Sequence, residues 1–319
     1  MIVTVTMNAA LDRTLSVPNF QRGHRHRASQ GLTLAGGRGI NVARALKRLG
    51  VPVVATGLAG GGTGVRIVEG LTSEAILNDF VRIAGESRTS TAVLDPTNGT
   101  FTEIIEWGPE VEPSELEILL DKIAYLSRGA EMVVLAGSLP REVDEGFYGE
   151  AMRELNRRDV PIVLDAEGEP LRLGIEAEPF LVSINQREAE ALVGQELNDE
   201  ADFLAALDQL ADMGARNVLI THSGGCFALL RPGRGRPSRF SAAAPQVEVV
   251  SAVGLSAAVL AGFLAARIDE ASSEDALRKA VAAGAASVLE VGAGRFEPEA
   301  MGRLIPEVAV ESLEPAASV

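Results

Sequence analysis

Apolar positions along this chain follow two rhythms that take turns. Short β-rich runs occupy Ile2 to Thr6, Val53 to Leu58, Met132 to Ala136, Ile162 to Asp165, Phe180 to Ile184 and Val218 to Thr221. Between most of them lie Asn41 to Leu49, Pro113 to Leu126, Asp144 to Arg158 and Asp199 to Met213, where apolar residues recur at three and four, the period of an amphipathic helix. Strands that short, alternating with helices, argue for a parallel sheet covered on both faces. The predicted fold is α/β, a doubly wound and mainly parallel sheet.

Two stretches break the rhythm: Arg13 to Leu34, and Thr89 to Ile105 with the turn Asp95-Pro96-Thr97-Asn98-Gly99. Both alternate Thr, Val and Ile around turn residues without a helical period, which predicts antiparallel strands set off from the main sheet as a small β lid. No internal repeat and no long Pro/Ser/Gly linker divides the chain. It reads as one domain over 1–312, with lid strands from about 13–34 and 89–105. A frayed end is expected from Val308, and above all over 313–319.

The chain has 319 residues, of which 46% are hydrophobic, enough for a packed core and too many for intrinsic disorder. Against 29 basic side chains stand 44 acidic ones, a formal charge of -15 that speaks against a nucleic-acid partner, because binding phosphate polymers needs a basic face. A lone cysteine, Cys226, excludes an internal disulfide framework and a Cys-based zinc site. Met1 to Met7 alternates without a charged leader and reads as a strand, and no apolar run approaches the ~20 residues of a membrane span. A soluble, cytoplasmic protein without a membrane partner is expected.

The segment Ala35-Gly36-Gly37-Arg38-Gly39-Ile40-Asn41-Val42-Ala43 is the most informative for chemistry. Glycines directly before an amphipathic helix let the backbone approach a ligand and aim free N–H groups at it, although the same residues also make a tight strand-to-helix turn with no ligand. A second cluster, Gly60-Gly61-Gly62-Thr63-Gly64, follows another strand and is expected at the same sheet edge, where doubly wound folds bind ligands. Neither cluster is a Rossmann fingerprint. The three lysines, Lys47, Lys122 and Lys279, exclude a P-loop, since none follows a glycine in the required pattern.

Seven motifs in order carry a resemblance. They are Asn8-Ala9-Ala10-Leu11-Asp12, Ala35 to Ala43, Gly60-Gly61, Gly85-Glu86-Ser87-Arg88, Thr102-Glu103-Ile104 with Gly108-Pro109, Gly137-Ser138-Leu139-Pro140, and Asn185-Gln186-Arg187-Glu188. Together, from Met1 to about Pro306, they resemble the PfkB branch of the ribokinase-like sugar kinases, in the group of 1-phosphofructokinase and tagatose-6-phosphate kinase. The resemblance implies a phosphorylated hexose as partner, held at its hydroxyls by Asp12 and Asn41 beside Gly36 and Gly37. It implies Arg88, Ser138 and either Arg25 or Arg27 at the substrate phosphate, for which guanidinium geometry is apt. Viewed alone, Asp12 also suits a turn cap, and Arg25 and Arg27 suit solvated lid charges. His24 and His26 read as lid surface. The resemblance further implies Mg-ATP as cofactor, with Asn185 and Glu188 ordering magnesium indirectly and Thr221, Ser223 and Gly225 on the nucleotide side. Lid strands pairing between two copies would give a homodimer, as in some relatives.

The pattern breaks at its chemical centre. Active members carry Gly-Ala-Gly-Asp at the start of a long helix, where backbone N–H groups cradle the moving phosphoryl group and the Asp takes the proton of the attacking hydroxyl. The matching residues are Gly254-Leu255-Ser256-Ala257, so an alanine stands where the base belongs. Loss of a general base costs roughly 10²–10⁴ in rate. If Ser256 were unable to adopt a glycine-only conformation, the anion-holding amides would lose a further factor of about 10²–10³. The family's T-L-G-x-x-G turn reads Thr221-His222-Ser223-Gly224-Gly225-Cys226, where Gly224-Gly225 also fits a turn shifted by one residue. A lysine common two residues before Asn185 is Ser183, and Ile105 and Trp107 replace an Asn and a Pro in the lid. The expectation is a phosphosugar-binding homologue with phosphoryl transfer lost or strongly weakened; the alternative is an active kinase of 1-phosphofructokinase or tagatose-6-phosphate kinase type.

Overall fold

The computed structural model describes residues 1–231 and 236–313. All five residues of the first apolar run are buried, and Ile2–Thr6 (β1) accordingly lies inside a sheet with a parallel neighbour on each side. The other strands are Ala10–Ser16 (β2), Gln30–Gly36 (β3), Val53–Gly60 (β4), Leu77–Ile83 (β5), Arg88–Asp95 (β6), Thr100–Ile105 (β7) and Met132–Ala136 (β8). They continue with Ile162–Asp165 (β9), Leu181–Asn185 (β10), Val218–His222 (β11), Gly225–Leu230 (β12), Ser238–Ala243 (β13) and Ala309–Leu313 (β14). One sheet runs β14-β13-β12-β11-β10-β9-β8-β1-β4-β5, parallel from β11 to β5 and antiparallel beyond β11.

Helices cover both faces. Arg38–Arg48 (α1) and Gly61–Ser73 (α2) lie on one face; Pro113–Leu126 (α3), Phe147–Asn156 (α4), Gly168–Ile175 (α5), Gln186–Val193 (α6) and Glu200–Asp212 (α7) cover the other. Leu255–Ile268 (α8), Ser273–Ser287 (α9) and Pro298–Leu304 (α10) return to the first face. The boundaries have local causes. For α3, Pro113 sits in the first turn and Glu112 and Glu115 cap one another reciprocally. Helix α8 is buried at every position from Ala257 to Ala266, with Gly262 against the α9 backbone and Gly284 of α9 against Val259. Among the described residues no helix is long and apolar enough to cross a membrane.

The lid is a second sheet, β3-β2-β6-β7. Its outer pairs are antiparallel as predicted, but the central pair is parallel, Ala10 to Ser16 against Arg88 to Leu94. Between β3 and β6 the chain travels through α1, β4, α2 and β5, so β6 re-enters in the direction of β2. The tail also departs from expectation. From Ala309 to Leu313 it pairs with β13, and Val308 before it is buried. The expected fraying over 314–319 lies outside the described residues.

Asp95, at the end of β6, ties the lid together. Its carboxylate accepts from the backbone N–H of Asn19, Phe20 and Thr97 and from the Asn98 side chain at 2.7–3.0 Å. Burial pushes the carboxyl up, but these hydrogen bonds prevail and hold it at about 2. A depressed carboxyl stabilises the fold above its unfolded value and loses that contribution as pH falls through its folded one. Asp95→Ala is therefore expected to speed tryptic cutting at Arg22, Arg25 and Arg27 several-fold at neutral pH, and the wild-type loop should open similarly as pH falls from about 4 towards 2. Mass-spectrometric limited proteolysis, with hydrogen exchange at acid pH, checks both.

Candidate functional site

The carboxyl ends of five neighbouring parallel strands deliver the polar side chains. Asn8 follows β1, Ser138 follows β8, Asp165 closes β9, Asn185 closes β10 and Thr221 lies at the end of β11. Beyond them opens a cleft of two lobes, about 800 and 740 Å³, that share Arg38, Asn41, Glu103, Asn185, Arg187 and Val253. The larger lobe lies between the lid turn at 95–101 and the 248–257 segment. A third, apolar cavity of about 290 Å³ runs from His222–Gly225 to Val259 and Gly284.

The smaller lobe gathers Asp12, Gly37, Asn41, Arg88, Ser138, Asn185 and Glu188. Asp12 rests on Gly36, where an added Cβ would fall 1.9 Å from its Oδ2, so only glycine leaves room for the carboxylate. Burial lifts Asp12 to about 6 against the pull of Arg88 and Arg44, and Glu103 of the lid adds to the rise. Arg88 is held by two backbone carbonyls, those of Asn8 at 3.3 Å and Glu106 at 3.5 Å. Ser138 Oγ accepts from Asn8 Nδ2 at 3.2 Å, which leaves its own hydrogen for the cleft.

Asn185 and Glu188 form a reciprocal capping box at the start of α6: Glu188 N–H donates to Asn185 Oδ1 at 3.0 Å, and Asn185 N–H to Glu188 Oε2 at 2.9 Å. The remaining Glu188 oxygen accepts from Arg38, whose guanidinium also reaches Asp165 at 2.9 Å and Glu167 at 2.8 Å. Burial drives Asp165 and Glu188 up, while Arg38 opposes that rise and is itself held charged by the three carboxylates.

The 254–257 turn settles a question of conformation. Gly254 is the left-handed residue at φ 83°, and its missing Cβ would fall 2.6 Å from Ala293. Ser256 lies within α8, so no glycine-only conformation falls on it and the expected distortion is absent. No side chain caps α8, and its first-turn residues Leu255, Ser256 and Ala257 line the larger lobe. Ser256 Oγ is 3.1 Å from Thr221 Oγ1, which donates to the Ile184 carbonyl at 3.2 Å. Thr221 has one hydrogen, so Ser256 is the donor in that pair.

The turn expected on the nucleotide side closes as a β11–β12 hairpin. Gly225, at φ 143°, lies against the Ala242 carbonyl; Ser223 and Gly225 line the apolar cavity, and Thr221 stands behind Ser256. Cys226 is buried in β12 with its thiol pushed up to about 12. Arg25 and Arg27 are exposed on the loop between β2 and β3 and line none of the three cavities, so this chain's own cleft does not include them. The second glycine cluster is not a ligand loop either. It opens α2, and its Gly62 and Thr63 N–H groups donate to Glu86 at 3.1 and 2.6 Å.

Sequence reasoning passed over Arg38, Glu103, Asp165 and Arg187, all of which line the cleft. Arg38 was legible as a charge between glycines, and Asp165 as a carboxylate ending a buried strand.

Residues 3–300 match the pfkB family carbohydrate kinase description. The chain is 31% identical to a 1-phosphofructokinase of Borreliella burgdorferi over 98% of its length and 99% of the relative's. It is 28% identical to a tagatose-6-phosphate kinase of Staphylococcus epidermidis, covering 97% and 99%. Among solved structures, phosphofructokinase-2 of Escherichia coli in complex with substrates and products superposes with a TM-score of 0.87 at 25% identity, covering 96% of this chain and 98% of that one.

The raised Asp12 value has a definite sign. Its protonated form is the one the fold favours, so stability relative to Asp12→Asn should fall as pH rises from about 4 through about 6. Ionised Asp12 accepts hydrogen bonds only, so polyol-phosphate affinity should rise over the same interval, more steeply in the wild type than in Asp12→Asn, whose remaining slope reports the ligand phosphate. Thermal melts and calorimetric titrations between pH 4 and 7 check both signs.

Proposed function

Because the chain belongs to the pfkB family of carbohydrate kinases, we propose that it binds a phosphorylated hexose in the smaller lobe, keeps a place for a nucleotide, and transfers phosphoryl groups weakly or not at all. Asp12 as acceptor and Asn41 as donor take the sugar hydroxyls; Arg88 and Ser138 take its phosphate. The apolar cavity beside Ser223 and Gly225 accommodates a base, and the first-turn amides of α8 lie in the lobe next to it, so the residues present fit a nucleotide. Magnesium arriving with that nucleotide neutralises phosphate charge. Asn185 and Glu188 serve it at one remove, since Glu188 is engaged by its cap and by Arg38.

The observation that carries the reading is that the first turn of α8 offers no side-chain proton acceptor where the family's base would stand. Ala257 has no acceptor, and the Ser256 hydroxyl already donates to Thr221, whose own hydrogen ends on a backbone carbonyl. A wire that ends there takes up no proton. The amides survive, so the loss reduces to the base alone, roughly 10²–10⁴ in rate. The surviving cavity and amides favour a second reading, an active kinase of 1-phosphofructokinase or tagatose-6-phosphate kinase type. The lid supports assembly as a homodimer: β7 is an edge strand exposed throughout, and Ile104, Ile105 and Trp107 present apolar surface.

Fructose 1-phosphate or tagatose 6-phosphate is expected to raise the melting temperature, while ADP formation under saturating MgATP stays near that of a heat-killed control. Ala257→Asp should raise turnover by about 10²-fold or more, with Ser256→Gly adding little, since residue 256 is helical. Brisk magnesium-dependent turnover of the wild type would overturn the weakened reading in favour of the active kinase; a flat melting response to sugars and nucleotides alike would overturn both.

A further inference from the structure

Arg44 occupies the buried stripe of α1 among Ile40, Ala43 and Leu46, and only 2% of it is exposed. An arginine has five N–H donors, and here each has an acceptor. Nε and Nη2 fork onto the Glu74 carboxylate after α2; Nη2 also donates to the Ala35 carbonyl at 2.6 Å. Nη1 donates to Asn41 Oδ1 and to the Ala293 carbonyl, each at 3.0 Å.

Two consequences follow. With its oxygen turned to Arg44, Asn41 has only Nδ2 to offer the cleft, so it presents donors beside an Asp12 that presents acceptors. The chain at 292–294 is also wedged in place: an added Cβ at Gly294 would fall 2.2 Å from the Asn41 carbonyl oxygen, and one at Gly254 would fall 2.6 Å from Ala293. The turn that begins α8 therefore rests on a segment that Arg44 grips. Asp12, Asn41, Arg44, Val253, Gly292 and Ala293 line one small cavity of about 20 Å³ between these parts.

We propose that Arg44 is a positioning residue that sets the polarity of Asn41 towards the sugar and couples that amide, through Ala293, to the turn at 254–257. The proposal rests on the phosphosugar reading for its ligand, while its mechanical half stands without one. Arg44→Lys keeps the charge and loses the fork. The expected result is a folded protein whose hydrogen exchange rises several-fold at 37–41, 252–257 and 291–295 and stays unchanged in α6 and α7. Affinity for fructose 1-phosphate or tagatose 6-phosphate, by calorimetry, should fall about tenfold, and Asn41→Ala should add nothing in the Arg44→Lys background, because the two act on one contact. Should Arg44→Lys fail to fold, Glu74→Gln loosens the same fork from outside the cleft and should give the same pattern more mildly. A variant that melts earlier yet binds as the wild type does, additive losses in the cycle, or unchanged exchange at 252–257 would each overturn the proposal. If the wild type itself binds no phosphosugar, the proposed function fails, and exchange alone still decides the case for Arg44.

Discussion

Carboxylates crowd the carboxyl edge of this sheet, and the arginines between them are what let the crowd persist. Asp12, Glu103, Glu167 and Glu188 line one lobe of the cleft and Asp165 the other, in a protein already at -15. Two like charges 4 Å apart repel by about 4 kcal/mol at the effective dielectric of a protein surface. Arg38 relieves the deepest part by bonding to three of these groups at once, and Arg44 does the same for Glu74 behind the site. Removing one partner from such a cluster would strand a buried charge, a change that costs about 3–5 kcal/mol. Much of the site's form is thus set by charge balance before any ligand enters.

The parallel sheet was plain in the sequence because its strands are apolar on both faces and its longer helices carry an unbroken period. Pro113–Leu126 was legible to the residue, since proline at one end and the loss of period at the other mark it. What escaped depends on contacts between distant segments. The parallel pairing of β2 with β6 is fixed by the route of some seventy intervening residues, which no local pattern encodes. Gly60 to Gly64 looked like a ligand loop because glycines mark available N–H groups; that Glu86 already fills two of them is a fact of three dimensions. Likewise, which member of the 254–257 turn is left-handed follows from Ala293 packing against Gly254. Arg44 did leave a trace: an arginine inside an apolar stripe needs a buried carboxylate.

The departures from the family pattern divide by physical source. Those at the hairpin after β11 are absorbed by backbone: Gly225 supplies the conformation the turn needs, and Cys226 turns into the core. Trp107 changes the lid's exposed side, whereas Ile105, though also exposed, lines the smaller lobe of the cleft. The replacement at Ala257 is of another kind, since no rearrangement of neighbours gives a methyl group a lone pair. In the proposed reading recognition would draw on side chains from β2, α1, β6 and the segment after β8, whereas proton removal would depend on a single side chain of α8. Binding can therefore outlast chemistry in such a site. The grip of Arg44 on Asn41 and Ala293 gives the smaller lobe and the segment beneath the 254–257 turn a shared frame.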